Sequence, residues 1–253
     1  MVTARNTLDS NHIKLIAILA MTLDHIAWVI FPGYDTAFLP LLLHLLGRIT
    51  CPIMCYFIAE GYHHTRNAAR YTARLFLFAI ISHFAYQFFS AGFSGWHSFL
   101  PFADGNCLDQ TSVMWSLAWG LVMLRIAHST RIRSGLLRVL LILLICAVSF
   151  PADWSCIAAL CILAIGTNRG NFRAQMGWMM FYCAIYAVVY SLALDLAYGI
   201  LQLGTALAIP ILRRYNGKRS GSLAFHRAMK WGFYLYYPLH LFVIGLFLHG
   251  IIN

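Results

Sequence analysis

The sequence predicts an all-α polytopic membrane protein, a bundle of about nine transmembrane helices with a cytoplasmic N-terminus. Three observations predict it. First, the 253 residues are 61% hydrophobic and only 10% charged, whereas a soluble domain carries about 25% charged residues. Second, mean hydropathy is +0.72. Third, nearly all Lys and Arg fall in alternate loops. A net charge of +10 would suggest nucleic acid in a soluble protein. Here it follows the positive-inside rule, and no helix-turn-helix, zinc-finger or RNA-binding pattern accompanies it, so no nucleic-acid partner is expected.

Residues 1–12 are a short polar N-terminus with Arg5 and Asp9. The first apolar stretch, about 13–31, is expected to be a span and not a cleaved signal, because it contains Asp24-His25 and no A-x-A-like site follows it. Pro32-Gly33-Tyr34-Asp35 turns the chain. The second span, about 37–62, is interrupted by Gly47, Arg48 and Pro52, which predicts a kink or break near Arg48. The third runs over about 71–89. Residues 90–111 form the longest polar stretch and contain no Lys or Arg. Further spans follow at about 112–126, 136–150, 154–167, 176–194, 196–212 and 231–249, the last preceded by the basic stretch 213–230.

Charge alternation checks the count. Basic residues fill the loops after spans two, four, six and eight. The intervening loops hold Asp35, Asp104, Asp109, Asp153 and Asp195 and no Lys or Arg. This places the N-terminus in the cytoplasm and the C-terminus outside. No linker, internal repeat or domain boundary is visible, so the chain reads as one integral membrane domain, 1–253. The seven cysteines are scattered without a CxxC, and all but Cys107 lie in apolar segments, so they read as small core residues and not as a disulfide framework.

Several polar residues fall at membrane depth, where an ionisable group costs about 2.5–3.5 kcal/mol on insertion scales. Asp24 and His25 lie past the middle of the first span, Arg48 near the middle of the second, His83 in the outer half of the third and His240 near the middle of the last. They are expected to face one another or a hydrated cavity. Each has a structural alternative. Asp24 can simply neutralise Arg48. His83 and His240 can be contacts that hold helices together. His44, on an apolar run, reads as a hydrogen-bonded helix-contact residue and not as a ligand. His25 is the candidate for chemistry, because a near-neutral imidazole beside Asp24 can act as general base or nucleophile. The cytoplasmic cluster His63-His64-x-Arg66…Arg70…Arg74 can set topology and bind lipid headgroups, or clamp a phosphorylated donor.

The segments IKLIAILAMTLDHIAWVIFPG, LGRITCPIMCYFIAEGYHHTRNAARYTARLFLFAIISHFAYQF and KWGFYLYYPLHL resemble the TraX family. That family is associated with conjugative plasmids, and its type member is required for N-terminal acetylation of F-type pilin. The family in turn is similar to membrane acyltransferases that carry a basic residue and a histidine eleven positions apart on the first helix. Lys14 and His25 are so spaced here. Lys14 stands where those relatives usually have Arg, which keeps the charge but not the planar fork.

The resemblance implies transfer of an acetyl group from cytoplasmic acetyl-CoA to the N-terminal amine of a pilin subunit, or to another amine or a hydroxyl. His25 would deprotonate the acceptor or carry the acetyl group. Asp24 would orient the imidazole or pair with Arg48, and Arg48 would stabilise the oxyanion. His83 and His240 are candidates for the same cavity. Lys14, Glu60, His63, His64, Arg66, Arg70 and Arg74 are candidates for the donor side. The outward stretch 90–111 could dock the acceptor. A transporter and a non-catalytic pilus-assembly partner are the competing readings. A metal site built from Asp24, His25, His83 and His240 is not expected, since no span supplies an i, i+4 ligand pair.

Overall fold

The computed structural model describes residues 7–92, 110–218 and 222–250. The acceptor-docking stretch read at 90–111 falls largely outside the described residues, as do Asp104, Cys107, Asp109 and Arg219. In chain order the helices are α1 (Ser10–Ile30), α2 (Phe38–Gly47), α3 (Thr50–His64), α4 (Ala68–Ala91), α5 (Val113–Ala127), α6 (Gly135–Ser149), α7 (Ile157–Thr167), α8 (Phe172–Ala193), α9 (Leu196–Leu201), α10 (Ala208–Arg213) and α11 (Leu223–Gly245). A 3₁₀ segment, Gln202–Leu207, joins α9 to α10, and a π turn, Leu246–Gly250, ends α11. Among the described residues there is no β-strand, only the isolated bridges Leu8–Tyr215 and Thr111–Ala152.

These helices fall where the apolar stretches lie. Among the described residues, six helical segments are long and apolar enough to cross a membrane: Ser10–Ile30, Phe38–His64, Ala68–Ala91, Phe172–Ala193, Leu196–Arg213 and Ala228–His249. Three shorter apolar helices, Val113–Ala127, Gly135–Ser149 and Ile157–Thr167, occupy the remaining expected positions. The chain is a polytopic helical membrane protein.

The helix ends follow local chemistry. Asp9 caps α1, its Oδ1 accepting from the amides of Asn11 and His12 at 2.8 and 2.9 Å. Asn67, Ser134 and Asn171 cap α4, α6 and α8 in the same way. Past α1, Gly33 takes φ +84°, a turn conformation that glycine adopts without strain. The break expected near Arg48 is present: α2 stops at Gly47 and α3 starts at Thr50. Pro52 has no amide hydrogen to give the carbonyl of Arg48, so the ladder fails there.

The chain forms two compact units. The first comprises Met1–Phe57 and Asn168–Trp231, and the second Ile58–Thr167 and Gly232–Asn253. In the first, α1 packs on α2, α8 on α9 and the 3₁₀ segment, and α2 on both of these. Leu8 and Ser10 bond through their backbones to Arg214, Asn216 and Lys218, tying the N-terminal segment to the basic stretch. In the second unit, α5 packs on α4, α6 and α7. Its core includes Met123, Ile145 and Ala159, with Trp119, Val122 and Leu163 against them. Gly120 lets α5 meet α7 closely, since a Cβ there would sit 2.8 Å from the Cα of Ala159.

Candidate functional site

α1 and α2 bring the first unit's buried charges together. Asp24 points from α1 toward α2. Its Oδ2 accepts from Nη2 of Arg48 at 2.6 Å, and its Oδ1 from Nδ1 of His44 at 2.8 Å. Arg48 also donates from Nη1 to Oε1 of Gln202 at 3.2 Å and from Nε to the carbonyl of His44 at 3.3 Å. Gln202 is held in turn by the carbonyl of Tyr198 at 3.1 Å. Both carboxylate oxygens and three guanidinium hydrogens therefore have partners. A buried ion pair tolerates desolvation only when its remaining lone pairs and protons are satisfied in this way.

Two features allow the approach. Gly47 faces Asp24: a Cβ at Gly47 would lie 2.6 Å from Oδ1 of Asp24, so only glycine leaves room for the carboxylate. Thr50 donates to the carbonyl of Ala17 at 3.1 Å, pinning the start of α3 to α1. His44 and Arg48 are four residues apart, so both lie on the face of α2 that meets Asp24.

His44 is 1% exposed and Asp24 9%. Aromatic rings wall the imidazole, with ring centroids of Trp28 at 4.5 Å and Tyr198 at 5.3 Å. Tyr34 packs on both, and Tyr198 donates to the carbonyl of Asp35 at 3.0 Å. A carboxylate only accepts, so Nδ1 of His44 carries the hydrogen, and in the neutral imidazole Nε2 holds the lone pair. Nε2 is buried and has no hydrogen-bond partner among the described residues.

The residues singled out from the sequence separate as follows. Asp24 and Arg48 meet directly. His25, half-buried on α1, bonds the carbonyl of Met21 and lies within electrostatic reach of Asp24 and Arg48. Lys14 sits over the ring of Phe57 at 5.2 Å. The others belong to the second unit. There His83 Nδ1 meets Oγ1 of Thr111 at 3.0 Å, and His240 Nδ1 donates to the carbonyl of Tyr236 at 2.9 Å. Glu60 accepts from His64 at 3.2 Å, and His63 donates to the carbonyl of Gly166 at 3.0 Å. Arg66 and Arg70 are exposed, while Arg74 lies over Tyr71 at 5.7 Å and bonds Tyr234. Among the described residues, no three His, Cys, Asp or Glu side chains come together as metal ligands.

The sequence reads His44 as a helix contact, and it is one, bonded to Asp24 of α1, but the carboxylate partner, Gln202 and the ring box of Trp28 and Tyr198 were not foreseen. The i, i+4 spacing of His44 and Arg48 was the available signal for the first. Nothing in a single sequence pairs Arg48 with a glutamine so far along the chain.

Fold and site define a polytopic helical membrane protein with an enclosed Asp–His–Arg cluster. The TraX protein family matches residues 9–248, and the chain belongs to that family. A Dichelobacter nodosus protein called probable fimbrial assembly protein FimC, serogroup H1, is 32% identical over 243 residues, covering 90% of this chain and 91% of that protein. No solved structure matches the chain.

Proposed function

We propose that the protein is a pilus-related acetyltransferase of the bacterial inner membrane. It moves an acetyl group from cytoplasmic acetyl-CoA to the N-terminal amine of a pilin subunit. The observation that carries the proposal is the buried cluster of Asp24, His44 and Arg48 in a member of the TraX family. Ionisable groups held inside apolar helices are functional by default. Here a carboxylate and a cation are fixed beside imidazoles, which supplies what acyl transfer requires: a proton acceptor and a charge to stabilise an oxyanion. The fimbrial name of the Dichelobacter relative supports the pilus connection.

In this reading all nine apolar segments cross the bilayer, with the basic loops in the cytoplasm. Glu60, His63, His64, Arg66, Arg70 and Arg74 are the donor-side candidates of the second unit, and Lys14 is that of the first. Arg66 and Arg70, exposed as they are, suit phosphate groups of the donor. Asp24 holds His44 and Arg48 on one face, with His25 next to it on α1, and the reading leaves open which of the two imidazoles takes the acceptor's proton.

The test supplies isotopically labelled acetyl-CoA to inverted membrane vesicles that contain the protein and pilin. Label on the pilin N-terminus with wild type, and none with Asp24→Asn, is the expected result. No label with well-expressed wild type would count against acetyl transfer. The relative's name favours one further reading, a non-catalytic assembly partner, which predicts that Asp24→Asn still supports piliation.

A further inference from the structure

We propose that His44, through Nε2, takes the proton from the acceptor during acyl transfer, with Asp24 and Arg48 as its positioning pair. The inference rests on the acetyl-transfer reading and names a residue that it leaves open. Three observations carry it. The Asp24 carboxylate fixes the tautomer of the neutral ring, because Oδ1 at 2.8 Å accepts the Nδ1 hydrogen and so the lone pair falls on Nε2. Arg48 at 2.6 Å holds the other carboxylate oxygen, so the carboxylate cannot swing away from the ring. Nε2 is then a buried basic atom with no hydrogen-bond partner among the described residues, in a residue 1% exposed. Buried polar atoms in folded proteins nearly always have partners, and an exception calls for a role. A carboxylate behind Nδ1 with Nε2 directed at a reacting group is the geometry of a histidine general base.

The box around the ring suits the step. Trp28 and Tyr198 exclude water from the imidazole. Tyr34, which packs on both, is exposed, so the box borders the protein surface on that side. The acceptor, having lost its first proton to water, attacks the thioester carbonyl carbon as a neutral amine. The nitrogen–carbon bond forms while the carbonyl π pair moves onto oxygen. As the tetrahedral intermediate collapses, the carbon–sulfur bond breaks. The nitrogen's proton passes to Nε2 of His44 and from there to the departing thiolate, which leaves as free coenzyme A. The imidazole ends neutral, and nothing is oxidised or reduced.

A helix-contact role for His44 makes different predictions from a proton-accepting one. The experiment uses full-length protein in lipid nanodiscs with acetyl-CoA and pilin bearing a free N-terminus. Rates are measured from acid to alkaline pH for wild type, His25→Gln, His44→Gln and His44→Ala. Other titratable and charged groups surround the ring. Asp24 and His25 come from α1, Tyr34 and Asp35 from the turn after it, Arg48 from the end of α2, and Asp195 and Tyr198 from α9 and its cap. His44→Gln can keep the hydrogen bond to Asp24, so it isolates loss of the base from loss of the fold.

The expected result is a fall of about 100-fold or more in His44→Gln. The acid limb of its rate profile should vanish, and added imidazole should partly restore His44→Ala. Wild-type transfer with His44→Gln within about threefold of it, and the acid limb intact, would overturn the inference while the acetyltransferase reading stands. Loss of the acid limb in His25→Gln alone would also overturn it. Folded wild type that transfers nothing would overturn the reading and the inference together.

Discussion

The two units handle buried polarity differently. In the first, charge meets charge: Asp24 is shared between Arg48 and His44, and Gln202 completes the guanidinium. In the second, the pair of Glu60 with the exposed His64 is not buried, and the more buried polar side chains meet neutral groups. His83 pairs with a threonine hydroxyl, His240 and His63 with carbonyls, Arg125 with Oγ1 of Thr72 at 3.1 Å, and Ser116 with the amide of Ala159 at 3.2 Å. Pairs of the second kind hold membrane helices together at about 0.6–2 kcal/mol each. A buried ion cluster is a poor way to add stability, since an apolar replacement often does as well or better. The contrast teaches that the second unit's polar contacts suffice as adhesive, whereas the first unit's cluster calls for a chemical reason.

Substitutions can break that contrast. The largest effect should come from Asp24→Asn, which leaves Arg48 buried without its counter-charge. We expect a loss of about 3–5 kcal/mol in stability, together with loss of transfer, read by thermal unfolding of the purified protein. Replacing Asp24 and Arg48 together by apolar residues of similar volume should return much of the stability and none of the activity. A fully active double variant would reduce the cluster to architecture. Next comes Gly47→Ala. Its new methyl would press on the Asp24 carboxylate, costing about 1–3 kcal/mol through overpacking and lowering transfer with it.

Smaller effects sharpen the contrast from the other side. Ser116→Ala in the second unit should cost about 1 kcal/mol and leave transfer unchanged, because it removes one neutral helix-to-helix bond. A drop in transfer at full expression would mean that the second unit's contacts are not merely adhesive. Asp9 offers the mildest test. Burial pushes its carboxyl upward, but the amides of His12 and Asn11 and the His12 ring outweigh this and hold it below the ordinary carboxylate value. Its stabilisation is therefore full above that ordinary value and is lost as pH falls through the lowered one. Worth under about 1 kcal/mol, it should appear as an acid-side drop in melting temperature that Asp9→Asn flattens.

Much of the fold was legible because apolar run length and loop charge report directly on helices in a bilayer. The break at Arg48 was legible from Gly47 and Pro52, whose backbone effects are local. The Asp24–Arg48 pair was foreseeable because two unlike charges at similar depth must find each other. His44 was not. One histidine inside PLLLHLLG looks the same whether it touches a leucine or a carboxylate, and only the direction of its helix face decides. Depth along a helix gives height and not azimuth. His83 and His240 share a depth class with Asp24, yet belong to the second unit and have partners there.

The most direct test of the central claim is the intact mass of pilin co-expressed with wild-type protein or with Asp24→Asn, at matched membrane levels. The account predicts one added acetyl group on pilin with wild type and unmodified pilin with the variant. Equal acetylation with both would contradict it, for the buried cluster would then have no part in the chemistry.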